Sequence, residues 1–271
     1  MVNLIIIILS IIGSLVSFFL IPSISYFWVP LVIFVIAYIV FTIIYILILL
    51  LFGAFVNTKK EYNEQSGLYN FAVIRTMEWI LNIFNTKIKT SGLEKVPHDE
   101  KYLLVYNHTS NFDPIVESWI LRKDNLIHIS KPENFKKIIA GPAIRRNCYI
   151  EINRENSFEA AKSIHRAVNF IKNQKYCVGI APEGTRNKGD EKVLMPFRDG
   201  CFKIALYAKC PIVVVEVYNT KKISSDGPFK RTNVEMNVLD VLRYDDFKDL
   251  KTHEISDIVK TKIQNAIDER K

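Results

Sequence analysis

Tyr102-Leu103-Leu104-Val105-Tyr106, followed at once by Asn107-His108-Thr109-Ser110-Asn111-Phe112-Asp113-Pro114, decides how the rest of the chain is to be read. The first five residues form an uninterrupted apolar run of the kind that makes a strand buried on both faces. Ile115-Val116-Glu117-Ser118-Trp119-Ile120-Leu121 beyond the run of polar residues has helical character. The segment is therefore a strand, a turn and a helix, and α/β proteins build their sites outside the carboxyl ends of such strands. On a continuous helix His108 and Asp113 would be rotated about 140° apart and could not meet. A turn brings them together, and Thr109, Ser110 and Asn111 favour one. The plainer account makes Asp113 an ordinary N-cap, with Pro114 at the first helical position.

Working outward, short β-prone runs alternate with helical ones. Strands are predicted at Thr86 to Ser91, Tyr102 to Tyr106, Leu126 to Ile129, Tyr149 to Ile152, Tyr176 to Ala181 and Ile212 to Val217, with Val234 to Leu239 as an edge strand. Helical spacing marks Glu133 to Ile139, Phe158 to Ile171 (capped by Asn156 or Ser157), Phe202 to Tyr207 and Ile255 to Ile267. Such alternation predicts an α/β fold with a mainly parallel sheet flanked by helices.

The amino-terminal end is different. From Met1 to Thr58 there is no Asp, Glu, Lys or Arg. Leu4 to Ile21 and Val29 to Val56 are each long enough to cross a bilayer, and Pro22 to Pro30 reads as an exposed turn between them. A secretory signal is the competing account, but no basic segment leads the first apolar run and a second follows it. Lys59 and Lys60 come directly after the second run. The positive-inside rule then places the remaining chain in the cytoplasm, on an integral membrane protein. The expected division is a transmembrane helical hairpin over 1–58, an interfacial amphipathic helix and connector over 59–91, and the α/β domain over 92–271. Within the connector, Leu68 to Phe84 carries a narrow polar stripe of Arg75, Glu78 and Asn82.

The formal charge of +8 lies entirely beyond the apolar hairpin, so the domain suits anionic headgroups and anionic substrates. Its basic residues are scattered and match no nucleic-acid-binding motif, so nucleic acid is not an expected partner. Cys148, Cys177, Cys201 and Cys210 show neither CxxC spacing nor a paired histidine, so neither zinc nor a disulfide framework is suggested. No metal or other cofactor is expected.

Two further stretches fall in turns after predicted strands. Tyr149-Ile150-Glu151-Ile152-Asn153-Arg154 ends on an arginine, and Ala181-Pro182-Glu183-Gly184-Thr185-Arg186 ends on a carboxylate, a glycine and a second arginine. Turns after parallel strands gather on one side of a sheet, so His108, Asp113, Arg154, Glu183 and Arg186 are expected to face one cleft.

These stretches resemble, in order, the motifs of the glycerolipid acyltransferases of the bacterial 1-acylglycerol-3-phosphate type. Asn107-His108-x-Ser110-x-x-Asp113 is similar to the first motif, Arg154 closing Ile-x-Ile-x-Arg to the second, Ala181 to Arg186 to the third, and Pro211-Ile212-Val213 to part of the fourth. Ala181 and Asn153 stand where that family often has Phe and Asp, and the family often has a second Pro near Val214. The resemblance implies transfer of a fatty acyl group from a thioester, carried by coenzyme A or acyl carrier protein, to the free hydroxyl of a lysophospholipid. With lysophosphatidic acid as acceptor the product is phosphatidic acid. Other lysolipids, glycerol phosphate, or a membrane lipid-binding protein without catalysis are the alternatives.

Residue chemistry agrees with the resemblance. An alcohol is a poor nucleophile at neutral pH, and His108 is a suitable base with Asp113 fixing its tautomer. Arg154 and Arg186 have the planar fork that grips phosphate, with Lys131 as a further cation. Gly184 allows close backbone approach. Glu183 and Thr185 complete the expected acceptor site, Glu183 by orienting an arginine or the glycerol hydroxyl.

Overall fold

The structure, a computed structural model, describes residues 1–20 and 28–270. The expected turn at Pro22 to Pro30 lies mostly outside the described residues. In chain order the helices are α1 (Val2–Leu20), α2 (Val29–Ala54), α3 (Gly67–Ile83), α4 (Asp113–Ile120), α5 (Pro132–Phe135), α6 (Ala140–Arg146) and α7 (Ser157–Lys172). They continue with α8 (Lys203–Ala208), α9 (Thr220–Asp226), α10 (Tyr244–Phe247) and α11 (Thr252–Asp268). The strands are β1 (Thr86–Ser91), β2 (Leu103–Tyr106), β3 (Leu126–Ser130), β4 (Ile150–Glu151), β5 (Cys177–Ile180), β6 (Ile212–Tyr218) and β7 (Thr232–Leu242).

All seven strands form one sheet in the order β1-β7-β6-β2-β5-β3-β4. Its pairings are parallel except β6 with β7. Two expectations change here. Thr86 to Ser91, assigned above to the connector, is the edge strand of the sheet, paired with β7. Val234 to Leu239, expected at an edge, lies inside β7 with neighbours on both sides, because β1 returns to cover it. Hydropathy alone could not separate the two, since both strands alternate.

Period-two alternation explains the layering. Leu103, Val105, Ile127, Ile129, Val178 and Val214 point to one face and meet Phe170, Ile204 and Val259 from α7, α8 and α11. Tyr102, Leu104, Tyr106, Val213 and Val215 point to the other and meet Leu81 of α3, Val116 of α4 and Ile223 of α9. β2 is fully buried and central, as its unbroken apolar run required. Truncating Leu104 to alanine there would cost about 2–5 kcal/mol. α7 begins where expected, with the Asn156 side chain accepting from the amides of Phe158 and Glu159 at 3.1 and 3.2 Å.

α1 and α2 run antiparallel. Ser14 Oγ donates to Pro30 O at 2.8 Å near one end, and Tyr38 Oη donates to Asn3 Oδ1 at 2.9 Å near the other. Both are long and apolar enough to cross a membrane by length and composition, and α2 has no fully buried residue. α3 lies between this pair and the sheet. Its Met77, Trp79 and Leu81 are buried, Thr76 bonds Tyr45 of α2 at 2.8 Å, and Glu78 pairs with the amino terminus at 3.1 Å. The sheet's carboxyl edge therefore sits beside the apolar helices.

Candidate functional site

β2 ends at Tyr106, and the next two residues are fixed from both sides. The Asn107 amide reads the β6 backbone in both directions: Nδ2 donates to Val217 O at 2.9 Å and Oδ1 accepts from Val217 N at 2.8 Å. On the other side, the His108 amide donates to Glu183 Oε1 at 2.7 Å and the His108 carbonyl accepts from Asn187 N at 2.7 Å. The turn is thus pinned to the strands flanking β2.

Asp113 organises the turn from within. Its Oδ2 accepts from the amides of Thr109 and Ser110 at 2.8 and 2.9 Å and lies 2.8 Å from His108 Nδ1. Thr220 Oγ1 donates to Oδ1. The carboxylate is fully buried. An acceptor so placed fixes the proton on Nδ1 and leaves Nε2 with its lone pair. Asp113 is the first residue of α4, with Phe112 at the cap position, so it is not the N-cap of the plainer account. Its carboxylate faces back into the turn.

His108 borders a cavity of about 340 Å³ that extends along Ile115, Met77 and Val73 to Leu49 and Phe52 of α2. The walls are mainly apolar, and they connect the imidazole to the helices at the amino terminus.

Glu183 makes no hydrogen bond or ion pair with an arginine among the described residues. Its second oxygen accepts from the Met195 amide at 3.2 Å, so both oxygens serve backbone donors. Burial pushes its carboxyl up from the usual carboxylate range. In the structure Glu183 holds the His108 turn through these two backbone contacts.

The cations arrange themselves about Gly184, whose φ of +72° is a left-handed conformation that favours glycine. A Cβ at this position would stand 3.0 Å from Arg198 Nε and 3.1 Å from Arg154 Nη1. Lys131 Nζ donates to Thr185 Oγ1 at 3.2 Å. Arg186 is exposed and has no hydrogen bond or ion pair among the described residues. The arginine that meets Arg154 is therefore Arg198, which the sequence reading did not nominate. It lies in the long connection from β5 to α8, at the same sheet edge as the other turns.

A second group was also missed. Behind the dyad, between the sheet and α4, His128 Nδ1 lies 3.2 Å from Tyr106 Oη and Nε2 lies 3.0 Å from Ser118 Oγ, itself 3.3 Å from Tyr149 Oη. Glu117, one turn along α4 from Asp113, is fully buried, and neither carboxyl oxygen has a hydrogen-bond partner. Burial, then the charge on Asp113, raises its carboxyl well above the usual range, while burial lowers His128 to about 3. Both shifts favour the neutral forms, and at 3.6 Å the approach of Glu117 Oε2 to His128 Nδ1 is too long for a hydrogen bond. A glutamate four residues after Asp113, on the same helix face, was the available signal.

All four cysteines are buried and free. Among the described residues no three His, Cys, Asp or Glu side chains are grouped as metal ligands would be.

Fold and site together define an α/β enzyme domain with a histidine–aspartate pair at the carboxyl edge of its sheet. Residues 87–218 match the acyltransferase family. The chain is 30% identical to the 1-acyl-sn-glycerol-3-phosphate acyltransferase of Borreliella burgdorferi over 55% of its own length and 57% of that protein. It is 28% identical to the enzyme of that name from Streptococcus pneumoniae over 79% of each chain. Its fold is shared with the crystal structure of the 1-acyl-sn-glycerophosphate (LPA) acyltransferase PlsC from Thermotoga maritima. There the TM-score is 0.60 at 17% identity, covering 82% of this chain and 95% of that one. Residues 87–218 thus carry a domain of the acyltransferase family.

Proposed function

We propose that this protein is a membrane-bound 1-acylglycerol-3-phosphate O-acyltransferase that moves a fatty acyl group from an acyl thioester to the free hydroxyl of lysophosphatidic acid, giving phosphatidic acid. One observation carries the reading: an imidazole held through Nδ1 by a buried carboxylate borders an apolar cavity leading to the hairpin, beside a cluster of cations.

In this reaction Nε2 of His108 takes the acceptor hydroxyl's proton as its oxygen attacks the thioester carbonyl carbon. Asp113 stabilises the imidazolium. The tetrahedral intermediate collapses with cleavage of the carbon–sulfur bond. The sulfur leaves as a thiol after receiving the proton from His108, so base and acid roles alternate on one ring. The acyl chain occupies the apolar cavity, and the acceptor phosphate meets the cations near Gly184. Coenzyme A or acyl carrier protein delivers the thioester as a co-substrate, and the sequence of steps needs no further cofactor. α1 and α2 span or enter the bilayer, with the domain on the cytoplasmic face beyond Lys59 and Lys60.

The test is a panel of acyl thioesters and lysolipid acceptors with the purified full-length protein in vesicles, followed by thiol release. Lysophosphatidic acid is the expected acceptor. His108→Ala is expected to lower kcat by about 10²- to 10⁴-fold with the fold retained. Undiminished turnover in that variant removes His108 as the base.

A further inference from the structure

We propose that the turn Gly227-Pro228-Phe229-Lys230-Arg231, between α9 and β7, is a membrane contact in its own right, with Phe229 entering the headgroup layer and its basic neighbours meeting anionic lipid. It adds a third point of attachment to the two apolar helices. The inference rests on the reading of α1 and α2 as membrane segments.

Phe229 is 98% exposed, more than any other large apolar side chain among the described residues. The turn that carries it is closed at both ends. The Gly227 amide donates to Ile223 O at 3.2 Å, and its φ of +66° stops α9 in a left-handed conformation. Beyond the tip, Lys230 Nζ and Thr232 Oγ1 donate to the two oxygens of Asp226 at 2.8 and 3.0 Å. The phenyl ring therefore stands out from a folded turn, packs against nothing in the protein and forfeits the burial it would otherwise gain. Cations surround it. Residues 220–231 hold Lys221, Lys222, Lys230 and Arg231 against one acid, Asp226. Lys221 pairs with Glu191 at 3.4 Å and Lys230 with Asp226, while Lys222 and Arg231 are exposed with no ion pair among the described residues. An aromatic tip set among unpaired cations suits the surface of an anionic bilayer.

Position decides what covers the tip. The Thr232 amide donates to Asn85 O at 3.2 Å, so the turn joins the chain just past the carboxyl end of α3. Ile223 of α9 and Leu81 of α3 share one apolar cluster on one face of the sheet. The apolar helices leave the domain at this same end. Tyr45 of α2 bonds Thr76 of α3, and the Phe52 carbonyl of α2 accepts from Tyr69 of α3, so those two helices run in opposite senses. α1, antiparallel to α2, therefore runs in the sense of α3, and its amino terminus starts beside Glu78. From that level α3 ends at Ile83 whereas α1 continues to Leu20, so α1 outreaches α3 by about 20 Å. A bilayer that takes up the projecting helices has its surface at the end of α3, level with the turn. The contact is also tied to the dyad. α9 begins at Thr220, which is hydrogen-bonded to both Asp113 and Thr109. A domain held at the hairpin and at this turn keeps the edge that carries His108 against the lipid surface from which the acceptor comes.

The experiment uses the full-length protein in vesicles, with thermal melts to verify that each variant is folded. Its first readout needs no turnover. Phe229→Trp is compared with wild type for emission and for quenching by phosphatidylcholine brominated in its acyl chains. The added indole is expected to emit to the blue of aqueous tryptophan and to be quenched by the brominated lipid. A water-like emission, quenched by iodide and not by the lipid, overturns the contact and leaves the tip to solvent or to a protein partner. The second readout is kinetic. With lysophosphatidic acid carried in vesicles of phosphatidylcholine and phosphatidylglycerol, Phe229→Ser is expected to raise KM about 3- to 10-fold, with kcat within about twofold. Arg231→Ala should raise it about fivefold, an effect lost in phosphatidylcholine alone or at high salt. In detergent micelles both variants should match wild type. An unchanged KM on vesicles, or an equal loss in micelles, overturns the orienting role. Carbonate extraction separates this inference from the reading beneath it. Wild type kept in the vesicle pellet alongside a water-like indole refutes the contact alone, whereas wild type stripped by carbonate refutes the membrane reading of α1 and α2 as well.

Discussion

Two histidine–aspartate pairs lie at opposite ends of the same sheet. At the carboxyl edge His108 Nδ1 is 2.8 Å from Asp113, and at the amino edge His98 Nδ1 is 2.7 Å from Asp124. Both carboxylates are buried. The difference is in what surrounds them. Asp113 gathers backbone amides of a turn around the imidazole, which borders the apolar cavity. Asp124 instead accepts from the buried Tyr102 hydroxyl at 2.7 Å, while His98 is 58% exposed and borders none of the cavities described. Burial, then the charges of Cys177 and Asp124, hold the Tyr102 phenol well above its usual range, so it remains a donor to the carboxylate. A His–Asp distance alone thus says little. The end of the sheet on which it falls decides whether the pair can act on a substrate.

The strongest way to break this comparison is to exchange each aspartate for asparagine. Asp113→Asn is expected to reduce kcat by about 10²- to 10⁴-fold, because an amide both loses the charge that stabilises the imidazolium and can present the wrong tautomer. Asp124→Asn is expected to leave turnover within about twofold and to cost about 1–3 kcal/mol of stability, read as a lower Tm. Equal effects on turnover would erase the distinction between the two pairs.

Next in size are the residues that hold each pair. Glu183→Ala removes the acceptor for the His108 amide and should lower kcat by about 10- to 100-fold through misplacement of the ring. The counterpart, Tyr102→Phe, removes a donor from Asp124 and should lower Tm without a comparable loss of rate.

The smallest effect concerns pH, and it sharpens the account of the polar group behind the dyad. His128 is held neutral to about pH 3 in the fold but takes a proton near pH 6.5 when unfolded. The unfolded state therefore binds the extra proton, and the stability contributed by neutral His128 is lost as pH falls from about 6.5 towards about 3, by at most about 1.4 kcal/mol per pH unit. Glu117 acts in the opposite sense. Its raised value means the folded state keeps a proton that the unfolded chain releases, so stability is lost as pH rises above about 4.5. Glu117→Gln should flatten that alkaline loss in melts recorded across pH, whereas an unchanged slope would mean that Glu117 is ionised in the fold.

Much of the fold was legible because β2 is apolar without interruption and because the turn residues after it permit no helix. The turn residues allowed Asp113 and His108 to meet, and the ordered motifs elsewhere in the chain favoured that pairing over a plain helix cap. The hold of Glu183 on the His108 turn was not legible, since its partners are backbone amides of His108 and Met195, and backbone donors carry no signature in a sequence. Arg198 escaped because it lies well beyond the Pro-Glu-Gly-Thr-Arg turn that drew attention, at the far end of a loop folded back by its own amide. The position of β7 was misread for a similar reason: the strand that covers it, β1, is distant in the chain. Local periodicity reports which face of a strand is buried, and long-range pairing decides which strand is at the edge.

The central claim, that the carboxyl-edge pair moves an acyl group from sulfur to a lipid hydroxyl, is tested most directly by accounting for the acyl group in one vessel. Acyl-CoA and lysophosphatidic acid are supplied to the vesicle-embedded protein, and free thiol, phosphatidic acid and free fatty acid are quantified together by mass spectrometry. Phosphatidic acid equal to the thiol released, with negligible free fatty acid, is the expected result. Thiol matched by free fatty acid would show that water is the acceptor and contradict the account.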